Sequence, residues 1–591
     1  MMRKISKNRM KRQRVIVLLF ISLLLFFVLI IRFYSLQIVN YSTYRSEAVG
    51  NMLNRIDISA PRGIVYDRNG QKLIYNVPCY NIVVFPDIIK QHQGTWKKLS
   101  EITGVPIEKL QNEMKRNQYG SYRPAVILRN IDAKTNAVIN ENIQNLPGAE
   151  VSFDPIRKYS NEILSGNLLG YTAEIKRRDL YKYRDEGYTL GDIIGYDGIE
   201  KQYEYLLRGI KGYRYKQVNA MGKPLNDKAY EQTNPIPGSA LYLTIDQDLQ
   251  AYAESLLIDH NGSAIIMNYE NGEILASVTS PSYDPEMFTR GLTQTQWDSI
   301  VQDKRIPLFN RTIRGQYPPG SIYKMISAIA GLEKGIIDPT TEFECNGVYT
   351  MGGREFRCSH VHGMENLDEA IAHSCNIYFY NLILELGIDD WSSYAKEMTM
   401  GELTGVDLPG ELAGINPDRS FLDKQYGRRK WWQGTWLNMV IGQGDVLMTP
   451  MQAVRYTAIL ASRGKIVQPH FLARYHKQGE KEDFIPEYPV SYTRGISAST
   501  WREIEKGMYN AVQSSWGTAT TAHVPGLNIY GKTGSAQNPH GEAHAWFIGY
   551  SKLKDFPYAV AVFIEHGYSG AGAAAPLAGQ LLKAYYYMRD K

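Results

Sequence analysis

Several features are scarce or absent in this sequence of 591 residues. There is no internal repeat and no long low-complexity linker, and only four residues are cysteine. The net charge of +6 comes from the first 14 residues, which carry seven Lys and Arg and no acid, so the remainder sums to about −1. Without a basic face, the sequence gives no reason to expect a nucleic-acid partner. With 44% apolar residues, the chain is long enough for several globular domains.

One long apolar run follows the basic tail. Val15–Ile31 is interrupted only by Ser22, and with the flanking residues to Val39 it is long enough to cross a bilayer. Lys and Arg before it place residues 1–14 in the cytoplasm and the bulk of the chain outside. A cleaved signal peptide is the alternative, but no small-residue cleavage site follows Ile31. We predict a single-pass anchor over 15–39 in the inner (cytoplasmic) membrane.

The rest of the chain divides near Asn234–Gly238. Residues 40–60 are predicted to be a polar stalk, followed by two strands around the Asn69-Gly70 turn. After the boundary come a strand, a helix, a hairpin, a helical middle, further strands and a closing helix over 576–589. We therefore predict an α+β protein with a mixed N-terminal domain over 40–235 and, over 236–591, an antiparallel sheet flanked by helices.

A short stretch within the second domain has the chemistry of a nucleophile. Ser321 and Lys324 follow a Pro-Pro-Gly turn and begin an apolar helix, and residues three apart share a helix face. A serine hydroxyl needs an adjacent base, and a buried lysine serves because burial lowers its pKa. Alone, Ser-x-x-Lys is a weak signal that occurs by chance in many helices.

Two further motifs follow in order. Ser374-Cys375-Asn376 lies in an apolar-aromatic run, and Lys532-Thr533-Gly534-Ser535 follows a predicted strand. Ser-x-x-Lys, Ser-x-Asn and Lys-Thr-Gly in this order resemble the active-site motifs of penicillin-binding proteins and class A β-lactamases.

The resemblance extends over nearly the whole chain and is to class B penicillin-binding proteins, in particular the elongation-type peptidoglycan transpeptidases of rod-shaped bacteria. It is carried also by the N-terminal matches Arg62-Gly63-Ile64 and Gly198-Ile199-Glu200, and by Gly442-Gln443-Gly444. It implies an elongated pedestal domain of the dimerisation type over 40–235, and a transpeptidase domain with the penicillin-binding or serine β-lactamase fold. Residues 40–235 resemble this class B pedestal and not the glycosyltransferase domain that a class A bifunctional enzyme would need.

The resemblance also implies roles for the motif residues. Ser321 would attack the penultimate D-Ala of a stem peptide, Lys324 would be its base, and Ser374 and Asn376 would relay and order the proton. Lys532 and Thr533 would bind the terminal carboxylate, and Gly534 would admit the substrate backbone. The oxyanion hole would be formed by the N–H groups of Ser321 and Ser535. Behind these motifs, Gln537–His544 is predicted to be a loop, His544 is a weak candidate for the acceptor side, and Trp546 is predicted to pack.

Three of the cysteines suggest a metal site. Cys345, Cys358, His362 and Cys375 are separated by 12, 3 and 12 residues, and thiolate and imidazole suit Zn²⁺. We predict a structural Cys3His zinc site and no organic cofactor. His360 is an alternative ligand, and a Cys345–Cys358 disulfide beside a buried Cys375 is the alternative to zinc. Cys79 is predicted to be buried.

The predicted function is therefore cross-linking of peptidoglycan stem peptides through a Ser321 acyl-enzyme during lateral wall elongation, with β-lactams as inhibitors. The alternatives are a septal (division) transpeptidase and a membrane-anchored β-lactam sensor or hydrolase. The resemblance implies a SEDS-family glycan polymerase and rod-complex scaffold proteins as partners. The acceptor diamino acid is not indicated.

Overall fold

The computed structural model describes residues 2–41, 53–118, 124–218, 224–428 and 430–589. The chain forms two compact units, and both are discontinuous in sequence. The first contains residues 1–60, 79–153 and 210–236, and the second contains residues 61–78, 154–209 and 237–591. The predicted domains, 40–235 and 236–591, are instead continuous in sequence, and their boundary stays a prediction.

The first unit begins with the predicted apolar helix. Helix Met2–Tyr34 continues into a π-helical turn over Ser35–Val39, and residues 14–39 have the length and apolar composition of a membrane span, with a mean hydropathy of 3.1. Of the predicted stalk, residues 42–52 lie outside the described residues. The stalk prediction is wrong for Leu53–Ile58, which is a strand paired with Gly212–Val218.

A small core completes this unit, packed around Trp96, Leu99 and Leu110. Its other helices are Pro86–Gln91, Gly94–Thr103, Ile107–Asn117 and Ala133–Glu141, with a 3₁₀ turn at Ile143–Asn145. Its other strands are Ala125–Ile131, Pro224–Thr233 and parts of Lys72–Val84 and Ala149–Tyr159.

The second unit is organised around a five-stranded antiparallel sheet. The strands lie in the order Ile274–Ser280, Gly262–Asn268, Tyr558–Ile564, Gly541–Ser551 and Ile529–Asn538. Neighbouring residues face opposite sides, as a strand requires. Ile265 and Trp546 lie in one apolar cluster, whereas Ile266 and Phe547 lie in another. The predicted sheet with helices on both faces is confirmed.

Helices cover both faces of this sheet. Gln247–Leu257 and Ala575–Met588 contribute to one cluster, and Lys324–Glu333, Asn376–Leu386 and Pro450–Ala461 contribute to the other. The remaining helices are Gly166–Leu169, Leu180–Tyr183, Gly198–Gln202, Glu204–Leu207, Pro285–Arg290, Gln294–Gln302, Arg311–Arg314, Leu367–Ala372, Ile388–Glu397, Arg419–Tyr426, Gly434–Val440 and Ala498–Gln513. Short 3₁₀ turns lie at Arg184–Glu186, Gly320–Tyr323 and Thr520–Ala522, and a π-helical turn lies at Gly570–Ala574.

Segments from before residue 236 are built into this same unit. Strand Val65–Tyr66 pairs in parallel with Leu241 and Tyr242, and antiparallel with the start of Lys72–Val84. Further short strands are Thr172–Glu174, Ile193–Gly195, Ala240–Leu243, Phe343–Cys345, Val348–Met351, Arg354–Arg357, Gly363–Glu365, Lys465–Val467, Leu472–His476 and Val490–Tyr492.

Two of the predicted pedestal motifs meet inside this unit. The fully buried carboxylate of Glu200 accepts from the guanidinium groups of Arg62 and Arg157, each at 2.6 Å, and Arg62 also bonds Glu204. This buried network ties three distant segments of the sequence together.

Candidate active site

Ser321 lies on a 3₁₀ turn and not on the first turn of an α-helix. The turn spans Gly320–Tyr323 and the α-helix begins at Lys324. Since side chains three apart eclipse one another on a 3₁₀ turn, Ser321 and Lys324 still lie on one side. Ser321 is half-buried, whereas Lys324 is fully buried. The predicted pairing is therefore reached through a tighter turn.

The three donors of the Lys324 ammonium all point at the second motif. Lys324 Nζ donates to the carbonyl of Ser374 at 2.6 Å, to Ser374 Oγ at 3.2 Å and to Asn376 Oδ1 at 2.7 Å. Burial lowers the pKa of Lys324 to about 8, although the nearby thiols of Cys358, Cys375 and Cys345 act to raise it. The amine therefore loses its proton much closer to neutral pH than an exposed lysine does, as a base requires.

Ser374 has an unusual backbone conformation. Its φ is +63°, in the left-handed region that residues with a Cβ seldom adopt. Helix Leu367–Ala372 ends here, and the N–H of Cys375 bonds the carbonyl of Ala370 at 2.9 Å. The next helix begins at Asn376. This change of chain direction at Ser374 brings its carbonyl and its hydroxyl within hydrogen-bonding distance of Lys324. The strained backbone therefore lies at the residue that binds the proposed base.

The third motif lies on an edge of the sheet. Strand Ile529–Asn538 has a sheet neighbour on one side, Gly541–Ser551, and the order of the sheet ends with it. An edge strand has unpaired backbone groups that an extended peptide can pair with. Lys532 is fully buried here, and burial followed by the charge of Lys324 lowers its pKa well below the usual value.

Backbone contacts bring the first and third motifs together. Gly320 has φ +59°, and a Cβ there would lie 3.0 Å from the carbonyl oxygen of Ser535. Gln443 Nε2 donates to that same oxygen at 3.4 Å. A Cβ on Gly534 would lie 2.8 Å from the carbonyl oxygen of Pro319, so this glycine is also required for packing. The backbones of residues 319–321 and 534–535 are thus adjacent.

The residues around the turn are structural. Trp546 is fully buried and donates its indole N–H to the carbonyl of Pro318 at 2.9 Å, which confirms that it packs. Tyr317 donates to Glu565 at 2.6 Å. The predicted loop over 537–544 is wrong: strands run to Asn538 and from Gly541, and His544 is a buried strand residue that accepts from the N–H of His566.

The four predicted metal ligands converge. One ligand atom from each of Cys345, Cys358, His362 and Cys375 lies within 4.8 Å of all the others. His362 Nδ1 is 3.4 Å from Cys345 Sγ and 3.6 Å from Cys358 Sγ. A tetrahedral zinc ion with ordinary Zn–S and Zn–N bonds separates sulfur and nitrogen by about 3.5 Å. The donor set and its spacing therefore fit Zn²⁺.

This cysteine cluster is bonded to the second motif. The backbone N–H of Asn376 donates to Cys358 Sγ at 3.2 Å. A hydrogen bond from the Cys375 thiol lowers the pKa of Cys358, and the same bond raises the pKa of Cys375. All four cysteines are free, so the alternative Cys345–Cys358 disulfide is not formed, and Cys79 is buried as predicted.

Sequence reasoning left some supporting residues without a role. Gly442 has φ +70°, its carbonyl accepts from the N–H of Gly320 at 2.8 Å, and a Cβ on it would lie 2.2 Å from the Gly320 oxygen. Thr518 Oγ1 bonds Thr533 Oγ1 at 3.2 Å. The Gly-Gln-Gly spacing was a usable signal, whereas a lone threonine was not.

Comparisons with known proteins agree with this geometry. Residues 262–583 match the family model of the penicillin binding protein transpeptidase domain, and residues 57–243 match that of the penicillin-binding protein dimerisation domain. The chain is 30% identical to the peptidoglycan D,D-transpeptidase MrdA of Escherichia coli K12, over 95% of this chain and 91% of that protein.

Solved structures are similar over comparable lengths. The complex between penicillin-binding protein PBP2 and MreC from Helicobacter pylori gives a TM-score of 0.79 at 29% identity, covering 91% of this chain and 99% of that one. A structure described as showing coordination of polymerization and crosslinking by a peptidoglycan synthase complex gives 0.73 at 26% identity, covering 97% and 98%. The chain therefore belongs to the penicillin-binding protein transpeptidases, and within them to the elongation-type class B members that carry a dimerisation domain.

Proposed function

We propose that this chain is a peptidoglycan D,D-transpeptidase that uses Ser321 as its nucleophile. The observation that carries the proposal is the buried Lys324, whose pKa is lowered to about 8, held by Ser374 and Asn376 beside the half-buried Ser321 and an open sheet edge. The β-lactamase alternative has no counterpart of the matched dimerisation domain. The names of the MrdA relatives support wall elongation over the septal alternative.

The acylation step follows from these groups. Ser321 Oγ forms a bond to the penultimate D-Ala carbonyl carbon of a donor stem peptide, and its proton passes to neutral Lys324 Nζ. The N–H groups of Ser321 and Ser535 stabilise the oxyanion, where one such donor is worth about 10²–10³ in rate. When the C–N bond breaks, the leaving D-Ala amine takes a proton from Lys324 through Ser374 Oγ. The product is an ester on Ser321.

The donor carboxylate is assigned to the third motif. A peptide lying along strand Ile529–Asn538 brings its terminal carboxylate to Thr533 and Lys532. Burial and the charge of Lys324 lower the pKa of Lys532, so this lysine loses its proton easily. A carboxylate bound beside it raises that pKa again, and the protonated lysine and the carboxylate then form an ion pair. An amine from a second stem peptide then attacks the ester and releases Ser321.

The test is the intact mass of the full-length protein in detergent after exposure to a penicillin. We expect a stable adduct on the wild type and none on Ser321→Ala, because β-lactams mimic the donor and deacylation is slow in a transpeptidase. Ser327→Ala, a buried serine two turns along the same segment, is the matched control and should be acylated. An adduct that is lost within seconds indicates a hydrolase instead.

Zinc bound by Cys345, Cys358, His362 and Cys375 is proposed as a structural cofactor. Bound there, the ion would fix the segment that carries Ser374 and Asn376 without contacting substrate. Native mass spectrometry should find one zinc ion, lost in Cys358→Ser and kept in Cys79→Ser. Zinc retained at full occupancy in Cys358→Ser would reject this ligand set.

The partners and location are proposed from the relatives and the apolar helix. The MreC and synthase-complex titles support a scaffold protein and a membrane glycan polymerase as partners, and helix Met2–Tyr34 supports a single-pass anchor. If the body of this chain activates the polymerase, removing it should lower glycan synthesis by the pair. Unchanged synthesis would reject activation.

A further inference from the structure

An exposed tryptophan and several cations lie together on the surface of the second unit. Trp432 is 38% exposed, and its ring packs on two glycines: a Cβ on Gly352 would lie 2.8 Å from it, and one on Gly434 would lie 2.2 Å from it. The guanidinium of Arg354 lies 5.8 Å from the centre of the ring. We call Trp432, Arg354 over its ring, and the exposed cations Arg357, Arg428 and Lys430 on the two chain segments that meet at the ring the tryptophan platform.

The neighbouring tryptophan shows that this exposure is particular to Trp432. Trp431 packs against the core and donates its indole N–H to Asp423 at 2.7 Å. Trp432 belongs to no apolar cluster, and its indole N–H bonds no residue that the structure describes. Its ring is therefore available to a ligand.

The platform carries unbalanced positive charge. Arg354, Arg428 and Lys430 are exposed, and in the described part of the chain none of them forms an ion pair. Arg357 is paired with Glu355 at 3.1 Å, the only acid in its strand. A flat aromatic ring beside one free cation, with further free cations on the chain segment that carries the ring, fits a ligand that has ring faces and carboxylates.

Both segments of the platform are bonded to the active site. The carbonyl of Arg357 accepts from Asn376 Nδ2 at 3.0 Å, and Phe356 packs on Tyr380 of the same helix. On the other side, helix Gly434–Val440 leads from Trp432 to Gly442, which bonds Gly320. A ligand on the platform would therefore be positioned relative to Ser374 and Asn376.

We propose that the tryptophan platform binds the peptidoglycan strand that supplies the acceptor amine; this rests on the proposed function. Such a strand has saccharide rings to stack on Trp432 and peptide carboxylates to pair with the cations. The acceptor amine enters where the D-Ala amine leaves, at Ser374, and the platform is joined to Asn376 two residues away. The donor occupies the sheet edge instead, so the two peptides do not compete for one surface.

The experiment measures binding of uncross-linked peptidoglycan strands with intact stem peptides to the full-length protein in detergent. We expect Trp432→Ala, and separately the double change Arg354→Ala with Lys430→Ala, to weaken binding about tenfold. Trp432→Phe should keep most of the affinity. Penicillin acylation should stay within about twofold in every variant, because no platform residue contacts Ser321 or Lys324.

Matched controls and contrary outcomes decide the assignment. Trp297→Ala removes an equally exposed tryptophan, and Lys481→Ala an exposed cation elsewhere in the unit, and neither should weaken binding. Equal strand binding by Trp432→Ala and wild type would overturn the proposal. A second contrary outcome is that polyglutamate displaces the strands and binds equally well to Trp432→Ala and to the wild type. That result would show a surface that binds any anion. Failure of penicillin to acylate the wild type would reject the proposed function and with it the acceptor role of the bound strand, a result distinct from equal strand binding by Trp432→Ala and wild type.

Discussion

At the scale of single residues, Lys324 is the group whose protonation sets the chemistry. It is a buried amine with three acceptors around it, and its pKa is lowered to about 8 by burial despite three nearby thiols. Zinc on those thiols would cancel part of their charge, which lowers the pKa of Lys324 further. The base is therefore prepared before substrate arrives.

The rate of penicillin acylation should rise with pH, with a midpoint at or below about 8. The sign follows because the neutral amine is the base, and its fraction grows as pH rises through the pKa of Lys324. Stopped-flow acylation of the full-length protein between pH 6 and 9.5 measures the midpoint, and Lys324→Arg, which stays charged, should lose acylation at every pH. A rate independent of pH across this range would remove Lys324 from the role of base.

Residue types in sequence indicated the catalytic groups, but not their conformations. Ser374 was identified from its motif, yet its left-handed backbone could not be, because only the surrounding helices hold a serine there. His544 was predicted to lie in a loop because the residues before it, Gly541 and Glu542, are small or polar. It lies in a strand because Gly541–Ser551 pairs with Ile529–Asn538, a partner that the local sequence does not reveal.

At the scale of elements, the turn that carries Ser321 is held from outside itself. Gly320 lies between the backbone of Gly442 and that of Ser535, and both glycines have positive φ. The hydrogen bond from the Gly320 N–H to the Gly442 carbonyl holds the turn in position beside the edge strand. The position of the nucleophile therefore depends on a segment over a hundred residues later in the chain.

Gly442→Ala should slow acylation of Ser321 about 10- to 100-fold. The added Cβ would lie 2.2 Å from the Gly320 oxygen, so the turn must move, and displacement by about 1 Å costs this much. Gly444→Ala is the matched control: it has the same φ of +70°, but its Cβ would meet nothing closer than 3.6 Å. Equal effects in the two variants would show that backbone strain alone is responsible.

Most elements of the catalytic body could be predicted from sequence, because their patterns are local. The helix and the hairpin that follow the predicted boundary, and the closing helix over 576–589, were all predicted, and the structure has them at Gln247–Leu257, Gly262–Ser280 and Ala575–Met588. The parallel pairing of Val65–Tyr66 with Leu241 and Tyr242 was not predicted, since nothing in either short segment specifies so distant a partner.

At the scale of the whole molecule, one buried ionic network joins three early segments of the chain inside the second unit, all of them before the predicted boundary at 235/236. Glu200 is fully buried between Arg62 and Arg157. Burial alone would raise the pKa of Glu200, but the two guanidinium groups outweigh it and the pKa falls below the usual value. Stability from this group is therefore present above pH 4.5 and is lost as pH falls through the lowered pKa.

Glu200→Gln should destabilise the protein by about 3–5 kcal/mol, because two buried guanidinium groups lose their counter-charge. Thermal unfolding of the full-length protein in detergent should show the midpoint lowered by several degrees. Asp389→Asn, which breaks the exposed ion pair with Arg419, should cost less than about 1 kcal/mol. Equal shifts in the two variants would mean that the buried network adds nothing beyond a surface pair.

The interleaving of early segments with the catalytic body restricts how such a gene can recombine. A crossover at codon 236 would seem to exchange whole domains, yet Val65, Leu73 and Leu207 share one apolar cluster with Leu241 and Ile265. Hybrids joined there would inherit the two halves of that core from different parents. Viable exchange between homologues therefore requires that residues 61–78 and 154–209 be inherited together with the catalytic body.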